Sequence, residues 1–329
     1  MKKQLLAGIL ALGTISMLCG FDSAETLDSL TEKMAEASQS MEGFSAAINI
    51  NADGALNISD SSTTTSLELN AQGEFDTDYQ MEPFGMSMDG TLTYSFLGSG
   101  TTLTEKAYMV DTEDGQSKTY VYSGVAAGED EGDNGSWSVD SSDASTINSI
   151  MSLTADVNYS VTAMKNYGFD VRLSSEACDI DGVECYEIDA MIDKNAIENF
   201  LNTTSVLDSS ITQSEDVSSV LSMLEGIEID FSVYVDTESY LPVYVHMDLN
   251  NSDFSLLSEV IGSYMNGFTS DSAESSSTEI VLNDFSIDAA YDYDEIPSVE
   301  VPQEALDAEA NGASLSISDI AEEAAENIG

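Results

Sequence analysis

The sequence predicts an α+β fold built on one large, twisted antiparallel sheet that is dry on one face and wet on the other, with helices over the dry face. Three observations predict it. Segment after segment alternates apolar and polar residues with period two. Asp114-Gly115 and Asp181-Gly182 separate neighbouring segments and supply the two positions of positive φ that a tight hairpin needs. Apolar residues at helical spacing occur only in short stretches between the alternating ones.

Residues 25–41 set Leu27, Leu30, Met34, Ala37 and Met41 on one helical face, with Glu25 and Asp28 at the end where the helix dipole favours acids, and Gly43 stops the run. In 67–76, Leu67, Leu69, Ala71, Gly73 and Phe75 alternate with Glu68, Asn70, Gln72, Glu74 and Asp76. Met86, Met88, Leu92, Tyr94 and Phe96 repeat the pattern. Strands at 105–111 and 118–123 close a hairpin through Asp114-Gly115, and a helix is expected at 143–157. Strands 169–180 and 183–191 flank Asp181-Gly182, with Val171, Leu173, Ala177, Tyr186, Ile188 and Ala190 inward. One or two helices follow within 194–225. Ile227 to Val235 and Leu241 to Leu249 form another alternating pair, with Pro242 near the turn, where a missing N–H is tolerated. A helix at 253–266 and a strand at 278–291 complete the domain, and residues 303–329 read as an acidic, frayed tail.

Charge excludes whole classes of function. The 329 residues carry 61 acidic and 8 basic side chains, a net charge of -53, which repels phosphate backbones and excludes nucleic acid as a partner. Anionic lipid surfaces are disfavoured likewise. Lys2 and Lys3 followed by the uncharged stretch Leu5 to Leu18 read as an export signal, 1–18, ahead of a short tether, 19–24. Cys19 stands where a bacterial lipoprotein carries its lipidated cysteine, although Ser16, Met17 and Leu18 make an atypical approach to it. An ordinary secreted protein cleaved near Gly20 or Ala24 is the alternative. Once Cys19 is set aside, Cys178 and Cys185 are an even pair in an oxidising compartment. With a two-residue turn at Asp181-Gly182 they face each other across the hairpin, within the span of a disulfide.

Four segments carry a family resemblance: Leu27-Asp28-Ser29-Leu30-Thr31-Glu32-Lys33-Met34; Ala107-Tyr108-Met109-Val110-Asp111 with Tyr120-Val121-Tyr122 and Trp137; Asp181-Gly182-Val183-Glu184-Cys185-Tyr186; and Val235-Asp236-Thr237-Glu238-Ser239-Tyr240-Leu241-Pro242-Val243. In order and spacing the chain resembles the LolA/LppX-type superfamily of bacterial envelope lipoproteins, particularly its Gram-positive members. The resemblance implies a domain over 25–302 whose curved antiparallel sheet is an incomplete barrel, with helices covering its concave face around an apolar cavity. It also implies a lipid-anchored protein on the outer face of the cytoplasmic membrane that binds or carries a lipid, acyl chain or lipoprotein, without catalysis and without a cofactor. A secreted interaction module with a filled core is the rival reading.

Chemistry-bearing motifs are few. His246, the single histidine, falls on the polar side of its strand with Tyr244 and Asp248. Neither Ser-x-x-Lys nor Gly-x-Ser-x-Gly occurs, and one histidine cannot make a His-Glu-x-x-His zinc site. The run Glu129 to Gly135 lacks EF-hand spacing, with Gly132 at a ligand position and Ser141 where a bidentate Glu is required. Met86, Met88, Tyr94 and Phe96 are the expected ligand contacts, because methionine adapts to irregular guests and aromatic rings supply broad contact area.

Overall fold

The computed structural model describes residues 26–59, 63–96, 99–112, 116–127, 135–143, 161–204, 224–259 and 277–313. The export signal, the tether with Cys19, the acidic run 129–134 and nearly all of the helix expected at 143–157 lie outside them. Within them, twelve strands form one antiparallel sheet that does not close.

Helix α1 (Leu27–Gln39) precedes six strands in simple succession: β1 (Gly43–Ser59), β2 (Thr64–Gln80), β3 (Gly85–Phe96), β4 (Ser99–Asp111), β5 (Gln116–Ala127) and β6 (Ser136–Asp143). Helix α2 (Val161–Tyr167) leads to β7 (Asp170–Leu173), β8 (Cys178–Ile180) and β9 (Val183–Asp193). Helix α3 (Lys194–Thr204), β10 (Glu228–Asp236), β11 (Pro242–Asp248), β12 (Ser277–Asp292) and helix α4 (Gln303–Ala310) follow. The spatial order is β6-β5-β4-β3-β2-β1-β12-β11-β10-β9-β7, with β8 also on β9. Two meanders are therefore sewn together where the first strand pairs with the last.

Alternation fixes which face is dry. Ile48, Phe75 and Met88 from one meander and Ile188, Phe231, Val233, Val235 and Val245 from the other form one buried cluster with Leu30 and Met34 of α1 and Met164 of α2. The helical face expected at 25–41 thus meets the sheet as its spacing requires. The Asp181-Gly182 turn is also as expected: both residues have positive φ, at 51° and 92°, which suits the twist of the flanking strands. Where β1 meets β12 the register shifts between Leu282 and Asp284. Gly54 lies there, and a Cβ on it would stand 2.5 Å from the Val281 carbonyl oxygen.

Two expectations need correction. Cover is not confined to one face: α4, in the segment read as a frayed tail, packs Ala305 with Tyr120 and Val139. Register puts these two with Tyr108 opposite Ser87, on the face away from Met88. The cause is in β5 and β6, whose aromatic residues Tyr120, Tyr122 and Trp137 occupy the face that polar residues hold elsewhere. The expected disulfide is the second. Cys178 and Cys185 are paired in register as predicted, yet both are free thiols. Each sulfur turns to a carbonyl, Cys178 to that of Cys185 at 3.6 Å and Cys185 to that of Val183 at 3.4 Å.

Candidate functional site

Strand length creates the site. β1 and β2 have 17 residues each and β12 has 16, whereas β10 and β11 have 9 and 7. At about 3.3 Å per residue the long strands run tens of ångströms beyond the short ones. Their near end is closed by α1 over Ile48, Phe75 and Met88. At the far end, residues 249–258 fold back over β12 and leave a cleft of about 540 Å³.

Hydrogen bonds hold the overhanging wall in place. Ser252 Oγ donates to the Glu228 carbonyl at 2.8 Å and accepts the Glu228 N–H at 2.9 Å. Asp253 N–H donates to the Gly226 carbonyl at 2.7 Å. Gly226 has φ +86° and has no room for a side chain, because a Cβ would lie 2.6 Å from the Asp253 carbonyl oxygen. Asp253 accepts the Ser255 N–H at 2.9 Å and so begins the helical stretch 255–259. That bond, with a further one from the Ser255 side chain, holds the carboxyl of Asp253 below the usual carboxylate range. Buried Ser258 donates to the Phe254 carbonyl at 2.7 Å and accepts the Ile280 N–H at 2.8 Å, tying the stretch to β12.

Leu249, Phe254, Ile280 and Leu282 give the cleft apolar walls, and Asn57, Ser59, Asn250 and Ser277 line it with neutral polar groups. Asp253 and Glu279 are the charged residues of the lining, which contains no lysine or arginine. Thr278 also lines it, and its Oγ1 is buried with no hydrogen-bond partner among the described residues. A volume of this size falls in the range of small-molecule sites.

The four expected ligand contacts divide between the two ends. Met88 is 3% exposed in the main core, and Met86 packs beside Phe44 and Tyr79. Tyr94 is 40% exposed at the open end. Phe96 lies on the cross-sheet row Phe96, Leu69, Gly54, Leu282, and Leu282 belongs to the cleft. Sequence reading missed the residues of 249–258. The signal available for them was the mismatch between long and short strands.

A second polar constellation lies on the opposite face. His246 Nδ1 is 2.7 Å from Asp288 Oδ1, its Nε2 is 3.5 Å from Asp248, and Tyr244 donates to Asp288 at 2.5 Å. Burial opposes the Asp288 charge, but the bonds from Tyr244, His246 and Ser286 outweigh it and hold the carboxyl below its ordinary range. This network satisfies an outward face; among the described residues no cluster of His, Cys, Asp and Glu fits a metal ion. No described helix is long and apolar enough to cross a membrane.

Comparison with known proteins follows the sheet. The lipoprotein LppX of Mycobacterium tuberculosis superposes with a TM-score of 0.30 at 12% identity, covering 82% of this chain and 95% of that one. LprF of Mycobacterium bovis gives 0.28 at 9%, covering 82% and 92%. A β-barrel-like DUF1849 protein of Brucella abortus gives 0.21 at 11%, covering 78% and 99%. No curated protein matches the sequence. The profile of DUF6612, a family of unknown function, matches residues 26–266, and the chain belongs to that family.

Proposed function

We propose that the protein is an exported, non-catalytic binder or carrier of an apolar ligand, held by a lipid on Cys19 at the outer face of the cytoplasmic membrane. The observation that carries the reading is the cleft of about 540 Å³ at the far end of the sheet, walled by Leu249, Phe254, Ile280 and Leu282. In this reading the sheet curves as an incomplete barrel, α1 and α2 sit over its concave face, and an acyl chain enters from the end that α1 leaves uncovered. Each methylene transferred from water contributes roughly 0.8 kcal/mol, so a chain of eight or more carbons offsets the entropy of association. The rival reading, an interaction module with a filled core, draws support from the burial of Met88 and Phe75.

Nile red, an uncharged apolar dye, tests the choice. The reading expects saturable fluorescence enhancement that dodecanol reverses and that Phe254→Ala weakens. Enhancement that never saturates, or that Phe254→Ala leaves untouched, overturns it. Cys19→Ala is expected to release the protein into the medium; unchanged membrane partitioning would remove the anchor.

A further inference from the structure

Resting on that reading, we infer that the cleft selects amphiphiles with an uncharged, hydroxyl-bearing head, of the acylglycerol kind, and rejects anionic ones such as free fatty acids and phospholipids. Two features of the lining lead to this class.

The first is charge. Any carboxylate or phosphate delivered to the cleft meets Asp253 and Glu279, with no lysine or arginine among the described residues of the lining to balance it. Asp253 stays ionised because the Ser255 N–H and hydroxyl stabilise its charge. The whole chain adds to the effect, since its net charge of -53 lowers the local concentration of anions.

The second is hydrogen-bonding capacity without charge. Ser277 and Asn250 line the cleft with a hydroxyl and an amide, beside Ser59, which shares a hydrogen bond with Thr64, and Asn57, whose amide donates to Glu279. Hydroxyls both donate and accept, and amides present both functions side by side, so together they match a polyol head better than a purely accepting anion.

The apolar stretch of the ligand then follows Ile280 and Leu282 toward the row that ends at Phe96.

The test uses the full chain and displacement of Nile red by two ligands of equal chain length, 1-monolauroylglycerol and laurate, at neutral pH. Monolauroylglycerol should bind about tenfold or more tightly, because the Asp253 and Glu279 carboxylates, hydrogen-bonded but paired with no cation of the lining, repel laurate alone. The double variant Asp253→Asn/Glu279→Gln should narrow that ratio by strengthening laurate, and Asn at 253 keeps an oxygen to accept from Ser255. Laurate binding as tightly as monolauroylglycerol, or a ratio unmoved by the double variant, overturns the inference while leaving an apolar-ligand site standing. Failure of Nile red itself to bind saturably overturns the reading on which the inference rests.

Discussion

The two meanders face the same problem, an alternating sheet with a second face to satisfy, and solve it differently. In β9–β11 the inner face is β-branched and tightly closed, with Val233 1%, Val235 0% and Ile188 2% exposed. Its outer face is polar and bonded to itself: Tyr234 donates to Glu187 at 3.0 Å, Ser232 to Asp189 at 2.9 Å, and Tyr244 to Asp288. In β3–β6 the inner face is uneven. Met88 is buried while Val125 is 42% exposed and Leu92 and Leu103 are half-buried. On β5 and β6 the outer face carries aromatic residues and takes a helix as cover, with Tyr120 and Lys118 both bonded to Glu309 of α4, at 2.8 and 2.7 Å. One meander thus supplies a rigid frame, while the other and the seam between them leave apolar surface at the open end. A ligand site belongs where the apolar pattern outruns the cover that packs on it.

The largest expected effect separates the two inner faces. Ile188→Ala should cost about 2–5 kcal/mol, since it removes buried methyl and methylene groups where the surroundings are closed. Leu103→Ala on the half-buried face should cost clearly less, as water already reaches the site. Urea denaturation of both variants measures the difference. Equal losses would mean that the open end is packed as tightly as the frame, and would argue for the filled-core reading.

How far this contrast is legible in the sequence depends on the element. Period two marks nearly every strand, and Asp181-Gly182 fixes the β8–β9 register residue by residue, because positive φ at both positions admits one hairpin geometry. Helix α1 is legible because five apolar residues recur on one side. Helix α4 is not, because its commitment to the fold rests on Ala305 and Glu309 in a segment whose Ala, Glu and Asp composition reads as solvated. Its docking surface did leave a trace: Tyr120, Tyr122 and Trp137 stand on strand positions that one-sided alternation assigns to water. The cleft is illegible from local pattern, since it arises from unequal strand lengths and from the fold-back at Gly226 and Asp253, two residues that pair only in three dimensions.

The aromatic cover that α4 supplies should be the next most sensitive to substitution. Ala305 is fully buried against Tyr120 and Val139, so Ala305→Leu should overpack the contact and cost about 1–3 kcal/mol. Limited proteolysis should then cut at residues 293–302 sooner than in the parent protein. No change in either measurement would mean that the helix leaves the sheet readily and that the outer aromatic face is open in solution.

The frame should also accept a covalent pin. Cys178 and Cys185 are register partners, and oxidation by a disulfide such as oxidised glutathione should join them, raising stability by up to about 2 kcal/mol for so small a loop. Closure should be slow at neutral pH, because burial and, behind it, neighbouring negative charge push the Cys185 thiol up to about 11, and burial raises Cys178 as well. Counting free thiols in denatured, unreduced protein after oxidation decides it. Two thiols remaining after prolonged exposure at pH 9 would show that the sulfurs cannot be brought together without moving the strands.

The smallest effect concerns the polar outer face. Burial, then the bond to Glu187 and the charge behind it, push the Tyr234 phenol up to about 12, and burial followed by the bond to Glu309 does the same to Tyr120. Each folded-state pKa lies above the ordinary value of 10.0, so the fold favours the protonated phenol. That contribution is complete below pH 10 and is lost as pH rises through about 12. Asp288 works in the opposite sense: its lowered pKa stabilises the fold above the ordinary aspartate range and is lost as pH falls through the lowered value. Tyr234→Phe should therefore cost about 0.5–1.5 kcal/mol at neutral pH, less than a buried hydrogen bond to a charged group is worth, because water reaches this partly exposed pair. It should also flatten the alkaline limb of a melting-temperature profile, and Asp288→Asn should flatten the acid limb alone. Equal flattening of both limbs by either variant would mean that the face titrates as one coupled unit, so that Glu187, Tyr234, Tyr244 and Asp288 stabilise the frame together and not as separate pairs.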